Sequence, residues 1–445
     1  MKLLISTYAC APHHGSEHAV GWNWTTEAHR QGNEVWAMAS PVHREAIEVA
    51  CRETPSLGGI TWLFPEVTGW PLTPGVEPRW ERTYNLLWQI AALRMARKVN
   101  DRISFDVVHH LTWGGVRAPT FLGRLGVPLI VGPIGGGETS PPSLRSGLHA
   151  KARLTEFIRN LSNWTIQVNP IVRGGLTLAR MIVVKTPETA AILTKGMQAK
   201  SICYAELSVQ SQSIGQPRLA KANGNNILFV GRLIYWKGAH IAIRALAELA
   251  PRLPDAKLTI VGKGPEQARL MQEAARLGIS DRITFVPWLP RDQVSAIYDR
   301  HDIFLFPSLH DSTGLVVLEA LSHGLPVVCL DSGGPRLIVT PQSGSVVATR
   351  RRDTAQVAAA LADEIAALLN DPARYAAMST AAIARAHEFI LPNRIADFYS
   401  RVKRSLGLAE RAAGLPEHAG APRQAANETF TMPPEREVIC QGGVS

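Results

Sequence analysis

Short apolar runs alternate with helix-length segments along most of the chain, and the alternation restarts once near residue 227. Each run lies between turn residues and is too short for a helix, so it reads as a strand buried on both faces. Strands separated by helices pair in parallel, because a parallel neighbour needs a crossover long enough to hold one. The first set of expected strands is 2–7, 34–39, 60–64, 107–109, 127–131 and 181–184, with helices at 19–31, 81–99, 116–125 and across 142–180. The second set is 227–230, 258–261, 283–286, 303–306 and 327–330, with helices at 238–250, 266–277, 292–298, 314–323, 354–369, 372–389 and 393–406. The expected fold is α/β: two tandem doubly wound, Rossmann-like domains, 1–207 and 227–389, a polar linker at 208–226 and a disordered tail over 407–445. Ligands of such sheets bind beyond the carboxyl ends of the strands, so the cleft between the domains is the expected site.

Composition narrows the partners. The chain has 445 residues and a formal charge of +10. The charge raises nucleic acid as a partner, but no zinc-finger, basic-zipper or RNA-recognition signature is present, and no nucleic acid is expected. A basic enzyme of phosphorylated substrates, or one working at an anionic membrane surface, fits the same charge. Cys10, Cys51, Cys203, Cys329 and Cys440 are far apart and form no CxxC, which points to a reduced cytoplasmic chain without disulfides or structural zinc. Residues 3–7 are too short for a signal-peptide core, and no run of about 18 apolar residues is present to span a membrane.

Candidate chemistry concentrates between Phe306 and Val328, FPSLHDSTGLVVLEALSHGLPVV. A strand leads into a polar loop, and Asp311, Ser312 or Thr313 could cap the helix that follows. Free N–H groups and the helix dipole make such a junction an anion site. Asp311 and Glu319 fall about 9 Å apart along a helix axis at 1.5 Å per residue. That is too far for two carboxylates on one glycosidic bond, which stand about 5 Å apart. It suits two contacts on one long ligand: sugar hydroxyls near Asp311 and a ribose diol near Glu319. A plain N-cap is the other reading of Asp311. A solvent-facing residue is the other reading of Glu319, weakened by its apolar neighbours Leu318, Ala320 and Leu321.

Three further junctions repeat the pattern. In GRLIYWKG, Gly231 to Gly238, Arg232 and Lys237 would flank a helix N-terminus as a diphosphate site, or be solvated side chains. Gly262-Lys-Gly264-Pro265 allows a close backbone approach or simply turns. The loop Gly15-Ser16-Glu17 could hold a ligand by its amides. His109 and His110 end a strand whose alternation sends at most one of them to the cleft, a buried hydrogen-bonded histidine being the alternative. Between Arg145 and Lys200, nine Lys or Arg face two acids, with Leu154, Phe157, Ile158, Leu161 and Trp164 interleaved. This reads either as a membrane-surface helix or as a solvated helix face.

Taken together, Gly231-Arg232…Lys237-Gly238, Gly262-x-Gly264-Pro265 and Pro307-Ser308…Asp311-x7-Glu319-Ala320…Gly324-x-Pro326-Val327 resemble glycosyltransferase family 4, of the GT-B fold. The resemblance covers about 2–406 and includes Asp106-Val-Val-His109. YACAPHHGSE and GPIGGGE are similar to a subgroup linked to bacterial exopolysaccharide assembly. The resemblance implies a final helix, 390–406, that crosses back to the first domain. It also implies transfer of a hexose from a UDP- or GDP-sugar to a lipid-linked or oligosaccharide acceptor, with retention and with no metal or other cofactor. The setting would be the cytoplasm, with peripheral contact to an anionic membrane at its inner face.

By the same resemblance, Gly15, Gly231, Arg232, Lys237, Gly262, Gly264, Asp311, Ser312, Thr313, Gly314, Leu315 and Glu319 bind the donor. His109, Asp311, Arg232 and Lys237 are the catalytic set. Arg232 and Lys237 would hold the diphosphate, Glu319 the ribose, and the Gly314 and Leu315 amides sugar or phosphate. Asp311 stands where the family has a glutamate against the sugar. His109 matches the strand-end histidine, which some members carry two positions on, at Leu111 here. The chain has no Asp-x-Asp, the usual acidic clamp for a metal-bound diphosphate. A nucleotide-sugar 2-epimerase, which shares the fold, and a non-catalytic sugar-nucleotide sensor or assembly partner are the alternatives.

Overall fold

A computed structural model describes residues 1–408 apart from 74, 77, 220–224, 288 and 290, and without the side chains of 291 and 292. The apolar runs form two sheets, parallel at every strand pair. In the first domain, β1 (Lys2–Ser6), β2 (Glu34–Met38), β3 (Thr61–Leu63), β4 (Val107–His110), β5 (Leu129–Ile134), β6 (Met181–Val184) and β7 (Ser201–Cys203) lie in the order β3-β2-β1-β4-β5-β6-β7. In the second, β8 (Asn226–Val230), β9 (Lys257–Val261), β10 (Ile283–Val286), β11 (Ile303–Phe306), β12 (Val327–Leu330) and β13 (Gly344–Val347) lie in the order β10-β9-β8-β11-β12-β13. Strand order reverses between β1 and β4 and again between β8 and β11, and a crevice opens at such a switch point. The fold is thus the expected pair of doubly wound domains.

β4, β6, β11 and β12 are buried along their whole length. Helices cover both faces, as all-parallel sheets require. The first half of the chain also feeds the second domain's core: Leu144, Leu148 and Ala152 pack with Phe229, Leu233 and Tyr235.

Several expectations shift. The helix expected over 116–125 is absent apart from a short 3-10 turn, Leu122–Leu125. Pro119 cannot donate to a helical ladder, and Gly115 and Val116 are drawn into a bridge with Gly135. The strand expected to end at Val131 runs on to Ile134, taking the start of the glycine-rich loop into the sheet. The described part of the linker, 208–219, is tethered to the second domain and to the start of the last helix. Val209 bridges Ile390, Gly215 donates to Ser322 O at 2.8 Å, and the Arg218 guanidinium reaches the carbonyls of Tyr298, Asp299 and His301. The expected tail lies outside the described residues from 409 onward.

The helix Leu391–Ser405 crosses back to the first domain. Ile395, Phe398, Tyr399 and Val402 pack with Leu3, Ile5, Trp24 and Val183. Phe398 is fully buried, edge-on to Trp24 and stacked on the His109 ring. Phe398→Ala is expected to cost about 3–5 kcal/mol by leaving a cavity there. Urea unfolding followed by tryptophan fluorescence checks this, because Trp24 reports on the same contact.

Candidate active site

The site is built on loops that leave the carboxyl ends of β8, β9 and β11. β8 runs into Gly231-Arg232 and β9 into Gly262-Lys263, and the two loops press together. A side chain at Gly262, where φ is +146°, would meet the Gly231 carbonyl at 2.0 Å, so only glycine fits. Gly264 lies behind, against the Leu233 carbonyl. Beside these loops opens a cavity of about 730 Å³. Gly231, Arg232, Gly262, Lys263, Tyr298 and Glu319 are in its wall. Arg232 and Lys263 are exposed. Glu319, on the helix Leu315–Ser322, accepts a hydrogen bond from the Tyr298 hydroxyl at 3.1 Å. Burial, and then the Glu319 charge, raise the Tyr298 hydroxyl well above its ordinary range, so it stays a donor.

Lys237, Asp311, Ser312, Thr313, Gly314 and Leu315 fall outside that wall. Lys237 and Asp311 instead form an ion pair, and the Lys237 ammonium lies 5.3 Å over the Phe306 ring. None of Asp311, Ser312 and Thr313 caps the following helix. Gly314 is its N-cap, at φ +75°, and no side chain bonds to it there. The cap chemistry of Asp311 is replaced by its pairing with Lys237.

Two carboxylates of the first domain hold this loop on either side of Asp311. Glu156, on the helix Ala150–Val168, is buried at the seam. It accepts from the Ser140 N–H at 2.9 Å, the Tyr235 hydroxyl at 2.8 Å and His310 Nε2 at 2.8 Å. Glu138, from the glycine-rich loop, accepts from Thr186, Thr189, the Gly136 N–H and, at 2.7 Å, from Ser312. Gly135 makes the approach possible, because a Cβ there would lie 2.9 Å from that of Ser312. A third carboxylate, Glu188, takes the Gly333 N–H at 3.2 Å and the Arg336 guanidinium at 3.0 Å. Tyr235 and Trp236 lie next to Lys237, and the Trp236 carbonyl accepts from the Leu309 N–H and the Ser308 hydroxyl. The Lys237 and Asp311 loops are therefore stitched to each other and to the first domain.

His109 does not serve the cleft. It is fully buried, and burial lowers its pKa to about 4, so the ring is neutral near pH 7. The Gly132 carbonyl can only accept, so Nε2 carries the proton at 2.7 Å, and Nδ1 accepts from Tyr399 at 2.9 Å. It is a satisfied core histidine beneath the crossing helix. Leu111 is buried too. Gly15 caps the helix Ser16–Arg30 with open space where a side chain would go. Glu17 beside it accepts from the Gly114 N–H at 2.7 Å and pins that loop to the end of β4.

Residues missed from sequence are Lys263, Tyr298, Glu138, Glu156 and His310. Lys263 stands inside Gly-x-Gly-Pro and was the one within reach of motif reading. The others act through contacts distant along the chain. Among the described residues, no group of three His, Cys, Asp or Glu side chains is placed to hold a metal ion.

Residues 211–385 match the family described as "Glycosyl transferases group 1". The chain is 28% identical over 309 residues to a 2-deoxystreptamine glucosyltransferase of Streptomyces kanamyceticus, covering 65% of this chain and 74% of that protein. It is 35% identical over 163 residues to a GDP-mannose-dependent alpha-(1-6)-phosphatidylinositol monomannoside mannosyltransferase of Mycolicibacterium smegmatis, covering 35% and 41%. The match thus spans about two fifths of the second protein's length. The Anabaena protein HepE, solved with UDP, superimposes with a TM-score of 0.53 over 93% of this chain and 100% of its own, at 17% identity, which speaks for the fold alone. The family match thus covers residues 211–385 alone, and the two-domain fold is the GT-B architecture.

Glu156 gives the seam a pH dependence. Burial opposes its charge, but His310, the Ser140 N–H and Tyr235 hold its pKa down to about 2, against 4.5 ordinarily. A carboxyl depressed in this way adds stability that is complete above pH 4.5 and fades as pH falls toward about 2. Thermal unfolding between pH 7 and pH 3 is expected to show a steep loss in the wild type and a shallower one in Glu156→Gln, whose melting point at pH 7 is already lower by several degrees.

Proposed function

We propose that the protein moves a hexose from a UDP- or GDP-sugar to a lipid-linked or glycan acceptor, with retention and without a metal, in exopolysaccharide or cell-envelope polysaccharide synthesis. The observation that carries this reading is the cavity at the β8–β11 switch point, where two exposed cations and a Tyr298-oriented carboxylate share one wall. Its volume of about 730 Å³ lies in the range of small-molecule sites. Glu319 can accept from both hydroxyls of a ribose. Arg232 and Lys263 can donate to a diphosphate, whose charge grows as the sugar bond breaks. Lys237 and Asp311, at the same strand ends, would meet the phosphate and the sugar. The names of the relatives support a sugar-nucleotide donor, one being a glucosyltransferase and another GDP-mannose-dependent. The UDP complex of the fold neighbour supports it too. The proposed setting is the cytoplasm at the inner membrane face. Among the described residues, no helix is long and apolar enough to cross a membrane.

The test begins with thermal shifts against a panel of UDP- and GDP-sugars. A donor present at about a hundred times its dissociation constant should add about 2.7 kcal/mol of stability. With donor and acceptor found, Glu319→Ala and Lys237→Ala should each lower transfer about a hundredfold or more. Turnover near the wild-type rate in either variant removes the site assignment. Release of an epimerised product from donor alone, or rates that fall with a chelator, would replace the proposed reaction or its metal independence.

A further inference from the structure

The helix Ala150–Val168 is amphipathic in the reverse of the usual sense. Its buried side holds Ala152, Glu156, Asn163 and Ile166. Its open side carries Leu154, Phe157, Ile158, Leu161, Trp164 and Val168, exposed by 52% at Val168 to 64% at Phe157. At about 100° per residue these six fall within an arc of about 120°. A solvated helix would present polar groups there, and isolated surface apolars would not line up. On the same wheel Lys151 and Arg153, both exposed, fall on opposite borders of the stripe. Glu156 is the helix's sole acid and points away, into the domain seam. From Phe157 to Pro187 the chain has no Asp or Glu at all.

We infer that this face docks on an anionic lipid bilayer, with Phe157, Leu161 and Trp164 entering the acyl–headgroup boundary and Lys151 and Arg153 meeting the headgroups. An apolar stripe with cationic borders and no exposed acid is complementary to that surface. A second copy of the same face would offer no carboxylate to Lys151 or Arg153. The inference deepens the membrane side of the proposed function but stands on this helix alone, so a protein that docks and transfers no sugar leaves it intact.

Flotation of the full chain with vesicles tests it. The wild type should float with phosphatidylglycerol-rich vesicles, less so as salt rises, and stay behind with phosphatidylcholine alone. F157S/L161S should lower partition by about tenfold or more, and K151A/R153A should remove the preference for phosphatidylglycerol. These side chains are exposed, so the variants should keep the wild-type melting curve. Should one misfold, bromolipid quenching of the wild type against W164F gives an independent reading, with Trp164 expected to be quenched. No flotation with either lipid, F157S/L161S floating like the wild type, or an unquenched Trp164 overturns the inference. So does a concentration-dependent dimer that F157S/L161S abolishes in the absence of lipid binding.

Discussion

A carboxylate taken out of water without partners is costly enough to prevent the burial. Glu156 is 1% exposed and sits where the two domains meet, and its donors come from both of them. Ser140 alone would leave it under-satisfied. Tyr235 and His310 complete it, and both belong to loops that carry candidate site residues. The domain seam and the site loops are therefore one arrangement, since separating the domains would strip two donors from a buried charge and release the loops bearing Lys237 and Asp311. Glu138 and Glu188 extend the pattern to Ser312 and Arg336. All three acids lie on the first domain, and each has at least one partner on the second.

This division separates two tasks within the site. The cavity at β8 and β9 belongs wholly to the second sheet and its linker, and its shape owes little to the first domain. The Lys237–Asp311 pair depends on contacts from both domains. The cavity and the Lys237–Asp311 pair accordingly differ in how they depend on the placement of the two domains. Asp311, shorter than the glutamate of the resembling family, holds Lys237 over Phe306 and leaves its other oxygen near the Thr313 N–H, at 3.5 Å.

Much of the fold was legible because it is written locally. Apolar runs bounded by glycine and proline marked nearly every strand, and their alternation with helices allowed one kind of sheet. The site was legible in part for the same reason: Gly262, Arg232 and Glu319 sit at strand-to-helix junctions that short motifs describe. What failed was non-local. The helix expected over 116–125 had adequate composition, but Pro119 and the pull of Gly135 on Gly115 outweigh propensity. His109 sits at a strand end, where a reactive group is plausible, and only the crossing helix, with Phe398 and Tyr399, makes it part of the core. Glu138 and Glu156 looked like ordinary residues of a loop and a basic helix, because their partners lie 174 and 154 residues away.

The bridge between Val209 and Ile390 has a mechanical meaning. The chain passes between the domains twice, and at this point the two passages are hydrogen-bonded side by side: the Val209 N–H to Phe389 O at 2.9 Å, and the Leu391 N–H to Val209 O at 3.1 Å. A single connecting strand would act as a swivel, free to twist as well as bend. Two strands fastened to each other act as a door hinge, which bends readily about one axis and resists torsion. Any relative motion of the domains would thereby be channelled into opening and shutting, with Glu138, Glu156 and Glu188 returned to the same partners on closing.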